Sequence, residues 1–231
     1  MQAVDYFSST AEEFHASYKS APNRLERVQL WCNFLERYCK DATSAYDIGC
    51  GSGAIACELA QLGMHTIAID GSQEMLSIGR ENARRRNLDN LEFQQSHLPI
   101  PNTESFRKAD IVTASSIIEY LDCLPSSFRF LSSLLNNEGT LIFSIPNRHS
   151  LSRALVRIMY RATGKPKYFG LLKHFVTMDE IRLILADCGF SLMEYAYCDR
   201  SDRINHMLSW FLPPQFASNM MIIAARKCEA L

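Results

Sequence analysis

A glycine-rich segment followed by a lone acid is the part of this sequence best suited to chemistry. Gly49, Gly51 and Gly53 follow a short apolar stretch and precede a helical pattern, and Asp70 ends the next apolar stretch. Glycines let a backbone approach a ligand closely, the first turn of a helix offers free N–H groups, and a carboxylate accepts hydrogen bonds from ribose hydroxyls. The pattern therefore predicts a site for a nucleotide-like ligand.

The same glycines fit two different motifs. Gly49-x-Gly51-x-x-Ala54 matches the fingerprint of nicotinamide-dinucleotide enzymes, with an acid near the ribose position. Asp47-x-Gly49-x-Gly51-x-Gly53 instead begins with an acid. A dianionic pyrophosphate is disfavoured beside a carboxylate, whereas a ligand that carries an ammonium group is favoured there. Asp47 therefore favours the second motif, and an NAD(P)-dependent oxidoreductase remains an alternative.

The elements that position this segment alternate between strand and helix. Strands are predicted over 44–48, 65–70, 91–95, 109–115, 140–145, 191–197 and 220–227. Helices are predicted over 23–40, 54–62, 72–87, 125–135 and 178–187. The late strand pair, with no helical pattern between its members, indicates a hairpin at the sheet edge. We therefore expect an α/β fold: a doubly wound, mostly parallel seven-stranded sheet with an antiparallel C-terminal hairpin strand and helices on both faces.

These segments together resemble the class I, Rossmann-like S-adenosylmethionine-dependent methyltransferases. The matching motifs are Asp47 to Gly53, Asp70-Gly71-Ser72, Ala109-Asp110-Ile111-Val112, Ile117 to Leu121, and the turn at Glu138-Gly139. The late strand pair is similar to the antiparallel hairpin of that family. The resemblance implies that the cofactor is S-adenosylmethionine and that the product is S-adenosylhomocysteine.

The resemblance also assigns the cofactor contacts. It implies that the glycine loop faces the methionine moiety, that Asp70 binds the ribose, and that residues after the second, third and fourth strands surround the adenosine. The full set is Asp47, Gly49, Cys50, Gly51, Gly53, Asp70, Gly71, Ser72, Met75, Ser96, His97, Leu98, Ser115, Ser116 and Ile117. The family usually places an Asp after the third strand for the adenine amino group. This chain lacks it, so Gln95, Ser96 and His97 remain alternatives for that contact.

Segments outside the alternating pattern are expected to hold the methyl acceptor. They are residues 1–43 as an N-terminal helical cap, residues 146–178 as an inserted basic cap, and residues 199–218. The basic cap includes a helical pattern over 151–162 that could cover the active site, contact a membrane surface or attract an anionic substrate. Four predicted substrate contacts come from these additions: Arg148, Tyr168, Trp210 and Phe211.

The predicted reaction is an in-line displacement that depends on positioning, with a general base when the acceptor is protonated. His149, His174 and Tyr18 are the candidate catalytic residues. The two histidines are candidate bases, because imidazole titrates near neutral pH and His149 directly follows the fifth strand, whereas Tyr18 is a candidate for shaping the site. We expect methylation of a small, hydrophobic, in some cases anionic molecule, with O-methylation favoured over N-methylation. A non-catalytic S-adenosylmethionine sensor or scaffold is the alternative.

The subfamily resemblance is to the ubiquinone-pathway O-methyltransferases. Their strand-four motif can carry a metal-linked Glu-x-x-Glu-His group, but the matching residues here are Ser116, Glu119 and Tyr120. Two of those three ligand types are missing, so no metal is expected. The Asn/Asp-Pro-Pro-Tyr/Phe motif of DNA methyltransferases is also missing.

Composition limits the class of protein. The chain has 231 residues, a net charge of −1 and 47% hydrophobic residues, which favours one globular domain and does not favour nucleic acid as a partner. The resemblance implies that this domain, over residues 1–231, is a methyltransferase domain. Its apolar runs are shorter than the roughly 20 residues that span a bilayer. Met1 to Tyr6 lacks the pattern of a signal peptide. We therefore expect a cytoplasmic protein with peripheral membrane contact through 151–162 as an option; the sequence leaves the oligomeric state open.

Overall fold

A seven-stranded sheet forms the centre of the chain. The computed structural model describes residues 3–100, 103–200 and 203–228, without the side chains of 18–20, 22–24 and 203–204. The strands are β1 (Ser44–Ile48), β2 (His65–Asp70), β3 (Leu91–Gln95), β4 (Ala109–Ala114), β5 (Leu135–Pro146), β6 (Phe190–Cys198) and β7 (Met220–Lys227). Their order is β3-β2-β1-β4-β5-β7-β6, and β7 runs antiparallel to both of its neighbours. The predicted fold class is confirmed.

Ten α-helices of the described chain surround this sheet. They are α1 (Ala3–Ser9), α2 (Ala11–Ser20), α3 (Pro22–Tyr38), α4 (Ala54–Gln61), α5 (Gln73–Arg85), α6 (Leu124–Ser133), α7 (Leu151–Thr163), α8 (Met178–Asp187), α9 (Arg203–Leu208) and α10 (Pro214–Ala217). Two 3-10 turns, Ile118–Tyr120 and Lys167–Leu171, lie before α6 and after α7. No described helix is long and apolar enough to cross a membrane.

The two faces of the sheet are covered by different helices. Phe143 of β5 packs in one buried cluster with residues of α6 and α8, whereas its neighbour Ile142 packs in a second cluster with residues of α3 and α4. Because successive strand residues point to opposite faces, a strand that is covered on both sides reads as a continuous apolar run. β5 and β7 are covered on both faces, so their sequences do not alternate between apolar and polar residues. The sequence therefore predicts them from continuous apolar runs.

Two local predictions were wrong. The fifth strand begins at Leu135 and not at 140, since Leu135 already pairs with Ala109 before an irregularity in the register. The late strands are joined by α9 and α10, although the sequence pattern indicated no helix there. β7 lies inside the sheet, between β5 and β6, so β6 is the member of the late strand pair that forms a sheet edge.

The topology brings the chemically useful residues to one edge. β1 pairs with β2 on one side and with β4 on the other, and Asp47 lies beside Thr113 in that register. The strand order reverses at β1 and β4, and a crevice forms outside the carboxyl ends of parallel strands at such a point. The loops after β1, β2, β3 and β4 therefore converge there.

Candidate active site

The loop after β1 has a backbone that requires glycine. Gly49, Gly51 and Gly53 have φ of +69°, +52° and +76°, in the left-handed region that other residues rarely adopt. A Cβ atom on Gly49 would also lie 2.6 Å from Cγ1 of Ile117. The loop thus packs closely on the residues after β4 and leads directly into α4.

Asp47 is a buried carboxylate with one unused oxygen. Its side chain is only 1% exposed, and the Thr113 hydroxyl donates a 2.8 Å hydrogen bond to Oδ1. Among the described residues, no hydrogen-bond donor reaches Oδ2. Burial raises the pKa of Asp47 to about 7, although the hydrogen bond from Thr113 opposes this shift. An unpaired buried carboxylate oxygen suits a cationic ligand group, such as an ammonium.

Asp70 organises the neighbouring backbone. Its Oδ2 accepts a 2.8 Å hydrogen bond from the Gly51 N–H, and its Oδ1 accepts one of 2.8 Å from the Ser72 N–H. Burial raises its pKa. Ser72 in turn caps α5 by accepting a hydrogen bond from the Met75 N–H. Each carboxylate oxygen keeps a further lone pair, so Asp70 can still accept hydrogen bonds from hydroxyl groups of a ligand.

A cavity of about 810 Å³ lies against these residues. Twelve of the fifteen predicted cofactor contacts line it: Asp47, Gly49, Cys50, Gly51, Asp70, Gly71, Met75, His97, Leu98, Ser115, Ser116 and Ile117. The remaining three are near it but outside its described lining. Gly53 is the N-cap residue of α4, Ser72 caps α5, and Ser96 donates a hydrogen bond from its backbone N–H to the Asp70 carbonyl oxygen.

Two additions to the sheet supply an apolar part of the remaining cavity wall. α1 contributes Ala3, Val4 and Phe7, and the turn after α7 contributes Gly170 and Leu171. α1 is held over the site because the Ser8 hydroxyl donates a 2.8 Å hydrogen bond to Ser72 Oγ. The turn is held because the Lys173 N–H donates a 2.8 Å hydrogen bond to the Glu119 carbonyl oxygen.

An aromatic group closes this apolar side. The Phe7 ring lies 5.4 Å from that of Phe14 and 5.5 Å from that of Tyr120, and all three residues line the cavity. Lys173 and Asp122 also line it and are paired at 2.6 Å. None of these five residues was predicted as a site residue, although Tyr120 lies in the matched segment Ile117 to Leu121. Phe7 and Phe14 belong to the predicted N-terminal cap and Lys173 to the predicted basic cap, but neither pattern indicates which side chains reach the cavity.

Of the two predicted catalytic histidines, His174 contacts a residue that lines the cavity. Its Nε2 donates a 2.9 Å hydrogen bond to the carbonyl oxygen of Leu121, a lining residue, and it follows Lys173 in the chain. His149 is exposed, packs on the Phe216 ring with centroids 5.9 Å apart, and lies outside the described lining. The side chain of Tyr18, on α2, lies outside the described part of the chain.

The predicted substrate contacts are likewise placed outside the described lining. Arg148 pairs with Glu180 and donates a 2.9 Å hydrogen bond to the Phe175 carbonyl oxygen. Tyr168 is 36% exposed beside the cavity-lining turn. Trp210 and Phe211 are 72% and 79% exposed. These four assignments stay predictions, and the structure does not bring them together with the cofactor residues.

A buried charged cluster lies behind the residues that follow β4. Arg27 pairs with Asp199 and donates a 3.0 Å hydrogen bond to Ser116 Oγ. Glu119 is 2% exposed, no described donor reaches its Oε2, and burial raises its pKa to about 7. The described residues contain no group of three His, Cys, Asp or Glu side chains that could hold a metal ion.

Comparisons with known proteins agree with this geometry. Residues 39–185 match the sequence profile of a family described as a methyltransferase domain. A ubiquinone biosynthesis O-methyltransferase of Acinetobacter baumannii (strain ACICU) is 27% identical over 150 residues, which are 64% of this chain and 63% of that relative. The match thus spans less than two thirds of the relative's length.

Solved structures share the fold. A magnesium protoporphyrin IX methyltransferase from Synechocystis PCC 6803, crystallised with bound SAH, has a TM-score of 0.73 at 20% identity and covers 97% of both chains. A 4+2 cyclase has a TM-score of 0.70 at 16% identity, with 98% of this chain and 95% of that chain covered. The profile match, the fold and the motif at Asp47 to Gly53 together show that this chain belongs to the class I S-adenosylmethionine-dependent methyltransferases.

Proposed function

We propose that this chain transfers the methyl group of S-adenosylmethionine to a small, mostly apolar molecule that binds beside the donor in the cavity. The observation that carries the proposal is the pairing of two unlike regions in one cavity. One region holds the buried carboxylate of Asp47 and the half-buried carboxylate of Asp70, and the other is an apolar wall made by α1 and the turn after α7. A volume of about 810 Å³ is near the top of the ~300–1,000 Å³ range of small-ligand sites, which leaves room for two ligands.

The donor fits the polar region. The ammonium group of its methionine moiety would pair with the free Oδ2 of Asp47, and the ribose hydroxyls would donate to Asp70. Met75, His97 and Leu98 would then surround the adenine, and Ser115 to Ile117 would lie beneath the donor. S-adenosylmethionine supplies an activated methyl group at its sulfonium. The contribution of the protein is to fix the donor beside an acceptor atom, in line with the breaking carbon–sulfur bond.

The acceptor fits the apolar region. The ring and aliphatic surface of this region comes from Phe7, Tyr120, Leu121 and Leu171. Transfer of a hydrophobic molecule from water to this surface is therefore favourable. Lys173 at the same wall can exchange its partner Asp122 for an anionic group of the acceptor. The relative named as an O-methyltransferase supports oxygen as the acceptor atom.

His174 is the proposed base for an acceptor that must lose a proton. The Leu121 carbonyl oxygen can only accept, so the proton of a neutral His174 ring lies on Nε2 and leaves Nδ1 as the basic nitrogen. Leu121, its hydrogen-bond partner, and Lys173, the residue before it in the chain, both line the cavity. His174→Gln should therefore lower kcat more for phenols than for acceptors that are already ionised.

A transfer assay tests the proposal. Purified full-length chain is incubated with S-adenosylmethionine labelled in its methyl group and with panels of lipophilic phenols, carboxylic acids and amines. The Asp70→Asn variant serves as the inactive control. Label in an apolar phenol or acid, absent with the variant, supports the proposal; label confined to small polar amines contradicts the apolar acceptor.

A non-catalytic binding role is the second candidate, and one observation favours keeping it. The solved structure of a protein named as a 4+2 cyclase shares this fold, so the fold alone does not show that a protein transfers methyl groups. Calorimetric titration distinguishes the two candidates. Binding of S-adenosylmethionine with no label transfer to any panel would favour the sensor, and NADH binding in its place would contradict both.

A further inference from the structure

Helix α7 presents its apolar side to solvent. Leu151, Leu155, Ile158 and Met159 lie on one side of the helix and are 42%, 54%, 64% and 47% exposed. Ser152 is 5% exposed, and Val156 and Tyr160, which follow it at four-residue intervals on the covered side of the helix, are half-buried. In a surface helix of a globular protein the apolar stripe normally faces the core. The orientation of α7 is therefore the reverse of that expected for a helix packed on the sheet.

A second exposed apolar group is carried by an adjoining segment. Met207, Trp210 and Phe211 are 58%, 72% and 79% exposed. The chain then turns into α10, which packs against α7, and the Arg153 side chain donates a 2.7 Å hydrogen bond to the Asn219 carbonyl oxygen. We call the two groups together the apolar face; its residues are Leu151, Leu155, Ile158, Met159, Met207, Trp210 and Phe211.

The charges on α7 and on the segment directly after it have one sign. Arg157, Arg161, Lys165 and Lys167 are exposed on or directly after the helix. From residue 139 to residue 178 the chain has no Asp or Glu. A symmetric contact between two copies would bring these cations against each other, because both copies would use the same patch. The charge pattern favours an anionic partner.

We propose that the apolar face binds the surface of an anionic phospholipid bilayer, with α7 lying in the interfacial plane. Apolar side chains on one side and Arg or Lys beside them are the pattern of helices that lie in a membrane surface. Trp is also enriched at the level of the headgroups. The turn after α7 supplies Gly170 and Leu171 to the cavity, so lipid binding would bring the cavity near lipophilic solutes. The binding step does not depend on methyl transfer.

Vesicle sedimentation tests this proposal. The full chain is mixed with vesicles of neutral phosphatidylcholine, or of phosphatidylcholine with phosphatidylglycerol, at low and high salt. We expect binding to the anionic vesicles that weakens as salt rises, because surface electrostatics are screened. Leu155→Gln with Ile158→Gln should lower the partition coefficient about tenfold or more, since two apolar side chains no longer leave water.

Two matched variants control the experiment. Leu183→Gln removes a leucine of α8 that is 69% exposed, and it should leave vesicle binding unchanged. Arg161→Gln with Lys165→Gln should weaken binding to anionic vesicles, whereas Arg84→Gln on α5 should not. Calorimetry with S-adenosylmethionine on each variant shows that the fold and donor site are intact.

Three outcomes would overturn the proposal. They are sedimentation that is equal with neutral and anionic vesicles, no sedimentation with either, or a dimer in solution that the Leu155/Ile158 double variant dissociates and that does not bind vesicles. The methyl-transfer proposal would stand under each of them, because the labelled-methyl assay is run without lipid.

Discussion

Replacing Asp47 with Asn should change stability and cofactor binding in opposite directions. The carboxylate is buried, one of its oxygens has no described hydrogen-bond donor, and its pKa is raised to about 7 by burial. In the empty protein, the ionised Asp47 carboxylate lowers the free energy of unfolding, because it is buried away from water. A ligand ammonium that pairs with Oδ2 would remove this destabilisation.

The effect on stability follows from the direction of the pKa shift. The pKa is raised from 3.8 to about 7, so the folded chain holds a proton that the unfolded chain loses between those pH values. The free energy of unfolding therefore falls as pH rises through this window. A shift of about three units corresponds to about 4 kcal/mol as an upper bound. The side-chain amide of Asn would also be buried without a partner, which would cancel about 1–3 kcal/mol of the stability gained by removing the carboxylate. We expect Asp47→Asn to stabilise the empty protein by about 1–3 kcal/mol at pH 8, and to have no stabilising effect at pH 5.

The effect on binding follows from the lost charge. A hydrogen bond to a charged group contributes about 1.5–3 kcal/mol, so the variant should bind S-adenosylmethionine about 10- to 100-fold more weakly at pH 8. In the unaltered chain, affinity should fall as pH drops below about 7, because Asp47 takes up a proton.

Thermal unfolding and calorimetry at pH 5 and pH 8 measure both effects. Asp110→Asn is the matched control, because Asp110 accepts hydrogen bonds from Thr43, Ser44 and Asn136 at the start of β4, away from the cavity. That control should lose stability and keep its affinity for S-adenosylmethionine. A lower melting temperature of Asp47→Asn at pH 8 would contradict a buried ionised carboxylate that destabilises the empty protein, and an unchanged affinity would contradict its pairing with the ligand ammonium.

Three further predictions concern the loop, the buried cluster and the cap. Gly49→Ala should abolish S-adenosylmethionine binding in calorimetry, because the added Cβ would lie 2.6 Å from Ile117. Gly164→Ala is the control, since Gly164 has a similar φ but its added Cβ would have no atom within 4 Å; it should lower stability by only about 1 kcal/mol. Glu119→Gln should raise the melting temperature at pH 8 and not at pH 5, since burial raises the pKa of Glu119 to about 7; a loss at pH 8 would contradict this sign. Phe7→Ala should raise the KM of an apolar acceptor about tenfold, by removal of ring surface from the cavity wall, with a smaller effect on donor affinity; equal effects on both would contradict the assigned wall.

The sheet and the donor region could be predicted because their signals are local. The glycine loop, Asp70 and the cap at Ser72 each depend on residues within a few positions of one another. β5 and β7 were detectable as apolar runs since both of their faces are buried. Parallel topology then brings the loop after each strand to one edge, without any further information from the sequence.

The acceptor side could not be predicted, because it depends on how separate elements dock. The aromatic residues around Phe7 are visible in the sequence, but only the contact between α1 and α5 places them over the cavity. The pattern of α7 predicts an amphipathic helix and does not show which side faces the sheet. The structure turns the apolar side outward, and it leaves Trp210 and Phe211 exposed. Predictions that assigned these residues to a substrate rested on apolar content alone.

Calorimetric titration of the full chain with S-adenosylmethionine, in parallel with NADH, measures whether the cavity is a methyl-donor site. We expect one S-adenosylmethionine per chain, weaker binding by Asp70→Asn and by Asp47→Asn, and no heat of binding from NADH. Binding of NADH in place of S-adenosylmethionine, or binding of S-adenosylmethionine that neither variant weakens, would contradict a methyl-donor site in this cavity.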